Sequence, residues 1–179
     1  MTLSGLVLIS VGCAYALVTK HVVVFGLWMA LGGALDALDG AVARASGRVT
    51  AFGGYLDAMC DRYVEALIVL TGAMLSGYWL LSSLVLAGAM LVSYAKARAA
   101  MEAPVSNLEW PDLMERAERG YCYLAGLVVS QLVGWRPFGR DLFWWTLAVL
   151  AVLIHATVVQ RIARARRLIQ ERAPHSRSA

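Results

Sequence analysis

The sequence predicts an all-α, polytopic membrane protein of one domain with six transmembrane helices. Of its 179 residues, 60% are hydrophobic and 16% are charged, and the mean hydropathy is +0.64. Soluble globular domains are about 45–50% apolar and about 25% charged, so the composition excludes an ordinary soluble enzyme. The apolar residues fall in continuous runs near the length of about 20 residues that crosses a bilayer as a helix. A transmembrane β-barrel would need short segments of alternating polarity instead.

The first three predicted helices cover residues 3–18, 22–45 and 55–75. Only the minimal turn of residues 19–21 separates the first two runs, so we expect them to be antiparallel neighbours. The link before the third run contains Gly47, Gly53 and Gly54. Glycine allows a tight turn and a close approach of the backbone, so the third helix is expected to return beside the second.

The last three predicted helices cover residues 78–95, 120–135 and 142–159. A turn at Ser76 and Gly77 precedes the fourth run, and a short link of residues 134–140 precedes the sixth. Since short and long links alternate along the chain, the helices are expected to alternate in direction. We expect residues 1–173 to form a single catalytic domain and residues 174–179 to form a disordered tail.

Basic residues are distributed unevenly between the two predicted sides of the bundle. The side with the short links carries Lys20, Arg136 and Arg140. The opposite side carries Arg44, Arg48, Lys96, Arg98, Arg116, Arg119, Arg161, Arg164, Arg166, Arg167, Arg172 and Arg177. The positive-inside rule makes that side cytoplasmic, and six spans place both termini there. We expect the membrane to be the cell membrane of a prokaryote. A basic tail that follows a membrane span favours contact with anionic lipid over binding of nucleic acid.

Four aspartates are concentrated at the ends of two apolar runs. Asp36 and Asp39 are spaced i,i+3 and Asp57 and Asp61 are spaced i,i+4, so each pair shares one face of a helix. A carboxylate within the membrane costs at least about 2.5 kcal/mol, and four close together repel one another. A hard divalent cation would compensate this charge. An all-oxygen cluster favours Mg²⁺ or Mn²⁺ over Zn²⁺.

Two other interpretations of the aspartates stay open at this point. They could form structural salt bridges, Asp36 and Asp39 with Arg44, and Asp57 and Asp61 with Arg62. They could also line the ion or proton pathway of a transporter. Transporter carboxylates usually lie near the membrane midplane, whereas these lie near the predicted cytoplasmic edge.

Glu65 follows Asp61 by one helical turn, and its role is open as well. It could support the site through a metal-bound water, or it could pair with Arg62. Metal-bound carboxylates next to arginines such as Arg44 and Arg48 suit the binding of a pyrophosphate and phosphoryl transfer.

The aspartates also spell a known motif. The segment from Asp36 reads DALDGAVAR, and eight residues after Arg44 the chain continues as GGYLDAMCD. This pattern resembles the CDP-alcohol phosphatidyltransferase motif D-x2-D-G-x2-A-R-x8-G-x3-D-x3-D at all its fixed positions. Those positions are Asp36, Asp39, Gly40, Ala43, Arg44, Gly53, Asp57 and Asp61.

The resemblance implies a six-helix membrane transferase with a cleft on the cytoplasmic side. A hydroxyl of a polar alcohol would attack the lipid-side phosphorus of a CDP-lipid, and CMP would leave. Two Mg²⁺ or Mn²⁺ ions would be bound by Asp36, Asp39 and Asp57, with Asp61 as general base and a further metal contact. The residues implied in CDP-lipid binding are Asp36, Asp39, Gly40, Ala43, Arg44, Gly53 and Asp57. The family also implies a homodimer.

A second cluster concerns the acceptor alcohol. SYAKARA at residues 93–99 and MERAER at residues 114–119 resemble the branch that uses inositol phosphate, the archaetidylinositol phosphate and phosphatidylinositol phosphate synthases. The residues implied in binding the acceptor phosphate are Lys96, Arg98, Arg116, Arg119 and Arg161. Cations beside the cleft suit an acceptor that carries a phosphate. The alternative interpretation of the same cluster is general positive-inside charge with helix pairing between residues 115 and 119.

The acceptor and the lipid of this reaction stay open. The acceptor could be glycerol phosphate or serine instead, and the lipid could be diacyl or archaeol. MERAER is closer to the archaeal form of the branch. The cytoplasmic amphipathic helix that precedes the first span in this family is expected to be missing, because the apolar run begins at residue 3.

Overall fold

The computed structural model of the chain describes residues 2–45, 50–102, 113–114 and 116–172. These residues form six α-helices and one short 3₁₀ helix, with no strand among them. The elements are α1 (Thr2–Thr19), α2 (Val22–Ala45), α3 (Ala51–Ser76), α4 (Trp79–Glu102), α5 (Arg116–Val133), the 3₁₀ helix Pro137–Gly139, and α6 (Leu142–Arg172). Within these ranges, the side chains of residues 2, 3, 36, 37, 39, 40, 43, 44, 171 and 172 are outside the description.

Each predicted apolar run lies in a helix of its own, which confirms the all-α prediction. The bounds of α2 are those predicted, but α4 continues seven residues past the predicted end at residue 95 and α6 continues to Arg172. The prediction that a tail begins after residue 159 was therefore wrong. The hydropathy pattern marks only the apolar part of a helix. Ala, Arg, Leu and Gln also favour helix formation, so the helix can continue beyond its last apolar residues. The predicted disordered tail of residues 174–179 lies outside the described residues.

Local signals in the links fix where the helices begin and end. Thr50 caps α3, since its Oγ1 accepts a hydrogen bond from the Gly53 amide at 3.0 Å. Gly77 ends α3 with a φ of 78°, a left-handed conformation that glycine adopts without strain. Asp141 precedes α6, and its Oδ1 accepts a hydrogen bond from the Trp144 amide at 2.9 Å.

The helices are arranged in a closed ring. Among the described residues, α1 packs on α2 and α3, α4 packs on α3 and α6, and α5 packs on α2 and α6. The order around the ring is therefore α1, α2, α5, α6, α4, α3. Its largest fully buried side chains include Phe25, Leu127, Phe143, Leu147 and Ile154. All the helices of the ring can thus contribute to one interior.

The three short links share one end of the bundle, as the alternation of links predicts. The Tyr78 hydroxyl, between α3 and α4, donates a hydrogen bond to Asp141 Oδ2, between α5 and α6, at 2.7 Å. A small pocket at this end is lined by Val22 at the start of α2, Ser76 at the end of α3 and Asp141 before α6. The C-terminal part of α2 and the N-terminal part of α3 consequently lie at the opposite end.

Two helical segments in the described part of the chain are long and apolar enough to cross a membrane: Trp79–Glu102 and Leu142–Gln170. Shorter apolar helical stretches cover Ser4–Thr19 and Val22–Leu35. Large apolar side chains are also exposed on the outside of the helices, among them Val18, Leu27, Leu80, Leu132 and Val152. Such outward apolar surface is what a helix facing lipid presents.

Candidate active site

The two halves of the aspartate motif lie on consecutive helices at the same end of the bundle. Asp36, Asp39, Gly40, Ala43 and Arg44 all lie in the C-terminal half of α2. The side chains of these five residues are outside the description, so the structure locates them by backbone alone. Gly53, Asp57 and Asp61 lie in the first three turns of α3.

Gly53 lies where the α3 cap leaves little space. A Cβ atom at this position would be 2.9 Å from Thr50 Oγ1, closer than side-chain carbons approach. Glycine thus preserves the hydrogen bond from its own amide to Thr50. The cap of α3 therefore explains why the motif has glycine at this position, one helical turn before Asp57.

Asp57 and Asp61 follow one another by a single turn of α3. Asp57 is exposed, and the side chain of Asp61 is 20% exposed. Asp61 Oδ2 forms an ion pair with Arg116 Nη1 at the start of α5. The salt-bridge interpretation named the wrong partner for Asp61, because the ion pair described for Arg62 is with Glu65.

Glu65, one turn further along α3, contacts two guanidinium groups. Its Oε1 accepts a hydrogen bond from Arg119 Nη2 at 3.1 Å, and its Oε2 lies 3.1 Å from Arg62 Nη1. Arg62 also donates a hydrogen bond to Ser93 Oγ of α4. Arg119 donates a second hydrogen bond, from Nη1 to the Met114 carbonyl, at 3.1 Å. Glu65 therefore connects α3 to α5 directly, and through Arg62 to α4.

These ion pairs lie on the wall of an interior cavity of about 480 Å³. All six helices contribute to the lining, for example Ile9 of α1, Met29 of α2 and Val85 of α4. Most of the lining is apolar, and its charged members in the described residues are Asp61, Glu65, Arg116 and Arg119. The charged wall and the apolar interior together give the cavity an amphipathic character.

The five basic residues predicted for the acceptor phosphate have different positions. Arg116 and Arg119 line the cavity, whereas Lys96, Arg98 and Arg161 are outside its lining. Arg98 forms an ion pair with Glu102 at 2.7 Å, one turn away on the surface of α4. Arg161 is buried and donates a hydrogen bond to the Val92 carbonyl of α4. Arg161 thus joins α6 to α4 inside the bundle and does not begin a tail.

The two carboxylates and two guanidinium groups of the cavity lining balance one another, and Arg62, outside the lining, adds a third guanidinium group beside Glu65. The guanidinium groups of Arg62, Arg116 and Arg119 face the carboxylates of Asp61 and Glu65. One positive charge in this group has no matching carboxylate within it. A partly enclosed cavity strengthens the attraction of such a charge for a phosphate.

The fit to a divalent cation rests on the chemistry of the carboxylates. Among the described side chains, no three His, Cys, Asp or Glu residues form a group that could hold a metal. Two of the four motif carboxylates, those of Asp36 and Asp39, lie outside that set. Asp57 and Asp61 supply oxygen ligands on adjacent turns of one helix, which suits a hard cation such as Mg²⁺ or Mn²⁺.

The ion pairs between α3 and α5 were not predicted from the sequence. The partners Glu65 and Arg119 are 54 residues apart, so helical spacing gives no indication of the contact. A usable signal was the helical spacing of two acidic residues on α3 and of two basic residues on α5. Asp61 and Glu65 are i,i+4, and Arg116 and Arg119 are i,i+3, so each pair forms a stripe on one helix face.

Comparison with known proteins identifies the family. A sequence model described as CDP-alcohol phosphatidyltransferase matches residues 1–155. Archaetidylinositol phosphate synthase of Pyrococcus horikoshii is 33% identical over 166 residues, which cover 91% of this chain and 80% of that protein. Phosphatidylinositol phosphate synthase of Corynebacterium glutamicum is 35% identical over 170 residues, which cover 88% of this chain and 72% of that protein.

Solved structures show the same fold. The crystal structure of Mycobacterium tuberculosis phosphatidylinositol phosphate synthase with CDP-DAG bound has a TM-score of 0.77 and 25% sequence identity. The alignment covers 92% of this chain and 83% of that one. The same synthase in complex with manganese and citrate has a TM-score of 0.78 and 26% identity, covering 92% of this chain and 79% of that one. The chain therefore belongs to the CDP-alcohol phosphatidyltransferase family, and it is a transferase.

Proposed function

We propose that this transferase moves a phosphatidyl-type group, diacyl or archaeol, from a CDP-lipid to a hydroxyl of inositol phosphate and releases CMP. The observation that carries the proposal is the cavity in which Asp61 of the motif meets Arg116 and Arg119 of the MERAER segment. One wall thus holds the aspartate of the transfer motif beside two guanidinium groups that can bind a phosphate. Related proteins named as synthases of inositol-phosphate lipids support this acceptor.

The metal site in this proposal consists of Asp36, Asp39, Asp57 and Asp61. These carboxylates would hold two Mg²⁺ or Mn²⁺ ions, and manganese in the M. tuberculosis synthase supports a divalent cation. When bound, such ions neutralise the diphosphate and stabilise the negative charge of the leaving group. Gly40, Ala43, Arg44 and Gly53 would contact the cytidine diphosphate, where small residues allow close approach of the backbone.

Asp61 is the proposed general base. It lines the cavity, so its carboxylate can accept the proton of an acceptor hydroxyl that binds there. Arg116 already contacts Asp61. An acceptor phosphate that binds Arg116 therefore brings the rest of the acceptor next to the base. The attack on the lipid-side phosphorus then forms the new ester bond, and the bond to CMP breaks.

The proposed topology has six membrane spans, with the motif end of the bundle and both termini on the cytoplasmic side. The excess of basic residues at that end supports this orientation. The outward apolar side chains of α1 and α2, such as Val18 and Leu27, support spans beyond the two that length and hydropathy select. A homodimer in the membrane is part of the same proposal.

An acceptor panel tests the function. The purified protein would be assayed for CMP release with CDP-diacylglycerol or CDP-archaeol and each of four acceptors: inositol phosphate, inositol, glycerol phosphate and serine. We expect CMP release with inositol phosphate, dependent on Mg²⁺ or Mn²⁺ and abolished by EDTA. Unphosphorylated inositol is the matched control, because it differs only in the group that the arginines bind. Equal rates with both, or CMP release only with serine, would contradict the proposal.

A further inference from the structure

Asp61, Glu65, Arg116 and Arg119 form two ion pairs that connect α3 to α5 across the ring, which we call the ion-pair ladder. Asp61 pairs with Arg116, and Glu65 pairs with Arg119 at 3.1 Å. The first pair includes the proposed base, and it lies nearer the end of the bundle. The second lies one turn deeper, and all four residues line the cavity.

The two pairs of the ladder differ in burial. The side chains of Arg116 and Asp61 are 40% and 20% exposed, whereas those of Arg119 and Glu65 are 5% and 14% exposed. An exposed ion pair is weak and exchanges its partners easily, whereas a buried one is held by the cost of leaving either charge alone. The outer pair can therefore open to admit a substrate, and the inner pair stays in place.

Glu65 lies within ion-pair distance of both Arg62 and Arg119. Arg62 and Arg119 both form ion pairs with the Glu65 carboxylate, so their two positive charges lie close together. Without that carboxylate the two guanidinium groups would repel each other in a region of low dielectric constant. Arg119 would then retain its hydrogen bond to the Met114 carbonyl but lose its contact with α3.

Arg119 has a further donor, which the described part of the chain leaves without an acceptor. Its Nε is buried and has no hydrogen-bond partner among the described residues. A buried donor without a partner is costly, and such donors are characteristic of sites that a ligand completes. A small shift of the side chain toward a phosphate in the cavity would satisfy it, provided that the guanidinium group is held on the cavity wall.

We infer that Glu65 is a positioning residue for the phosphorylated acceptor. It fixes Arg119 on the cavity wall while Arg62 balances its remaining charge, and Arg119 then meets the acceptor phosphate beside Asp61. Glu65 itself binds neither substrate nor metal in this assignment. The inference rests on the proposed function, because it needs an acceptor that carries a phosphate.

The test is the steady-state kinetics of Glu65→Gln with CMP release as the readout. The amide oxygen of Gln can still accept the hydrogen bond from Arg119, but the negative charge is gone. We expect the KM for inositol phosphate to rise about tenfold, since displacement of a binding group by about 1 Å can cost 10²-fold. The KM for the CDP-lipid should change less than twofold. A merely structural role would lower the active fraction and leave both KM values unchanged.

Arg119→Gln provides the double-mutant cycle. It should raise the KM for inositol phosphate by itself, and adding Glu65→Gln should then change that KM less than twofold, because Glu65 acts through Arg119. Independent, multiplying effects would overturn the inference. If Glu65→Gln fails to fold, Glu65→Gln combined with Arg62→Gln retains the net charge of the cluster, and the same rise in KM is expected.

The outcomes separate the inference from the function. An unmodified protein that releases no CMP with inositol phosphate would refute both. An active protein whose Glu65→Gln variant has an unchanged or lower KM for inositol phosphate would refute the inference alone. A lower KM would mean that Glu65 competes with the phosphate for Arg119 and does not position it.

Discussion

The Asp61 carboxylate lies on the charged wall of the cavity, one turn of α3 from both Asp57 and Glu65. This position supports the proposal that Asp61 is the general base for an acceptor that binds in the cavity. Asp61→Asn retains the size of the side chain but cannot accept the proton. We expect the rate of CMP release to fall about 10²–10⁴-fold, the usual contribution of a general base.

The control for this variant is Glu118→Gln on α5. Glu118 is exposed and lies outside the cavity lining, yet it is a carboxylate at the same end of the bundle. We expect this variant to have unchanged kinetics. CDP-lipid binding, measured by equilibrium dialysis with the labelled nucleotide lipid, should remain measurable for Asp61→Asn. Normal turnover of Asp61→Asn would refute the assignment of the base.

At the scale of the helices, small residues determine how closely the ring packs. Gly88 of α4 lies against Ile154 of α6, and a Cβ atom added to it would be 2.6 Å from Ile154 Cγ2. Ile154 is fully buried, and the same Cβ atom would also lie 3.0 Å from His155 Cε1. Without water between helices, such close packing is a main source of their association.

Gly88→Ala is therefore predicted to destabilise the fold. Forcing an extra methyl group into a tightly packed interface costs about 1–3 kcal/mol. We expect the melting temperature in detergent to fall by several degrees. Gly54→Ala in α3 is the matched control, since a Cβ atom there meets no atom within 4 Å. Its melting temperature should be equal or higher, because alanine favours a helix more than glycine does. Equal losses in both variants would argue against the packing explanation.

The helices and the packing of α1 on α2 could be predicted from the sequence, but the other partners could not. Among the described residues α3 packs on α1 and α4, whereas it was expected beside α2. The bounds of α2 follow from a mainly apolar run between two links, and the turn at Gly77 follows from local backbone chemistry. The end of α6 was missed, because a basic helix leaving the apolar layer has no hydropathy signal. The contact of Glu65 with Arg119 depends on how α3 and α5 rotate within the ring, which only tertiary packing determines.

At the scale of the whole molecule, the ring brings Asp61 of the motif to the same cavity as Arg116 and Arg119. α3 and α5 are not consecutive in sequence, yet both face the cavity that the six helices enclose. The motif contributes Asp61 from α3, and the MERAER segment contributes Arg116 and Arg119 from α5. Because these helices surround one interior, the proposed nucleotide site and the proposed acceptor-phosphate site can lie next to each other.

The same ring has two chemically different ends. The end with the short links carries Tyr78, Asp141 and the exposed aromatic side chains of Trp135 and Phe138. The opposite end carries the ion-pair ladder and most of the basic residues. Aromatic residues concentrate at membrane interfaces, and basic residues remain on the cytoplasmic side during insertion. Both rules support the proposed orientation, in which the cavity wall of Asp61 faces the cytoplasm.

Cysteine labelling tests this orientation. In a variant with Cys13, Cys60 and Cys122 replaced by alanine, we would introduce Phe138→Cys at the short-link end or Glu102→Cys at the opposite end. Both positions are exposed, Phe138 at 94%. A membrane-impermeant maleimide should label Phe138→Cys in intact spheroplasts, and Glu102→Cys only in inverted vesicles. The reverse labelling pattern would place the proposed acceptor site outside the cell. The end of the bundle with more basic residues would then be extracellular, against the positive-inside rule.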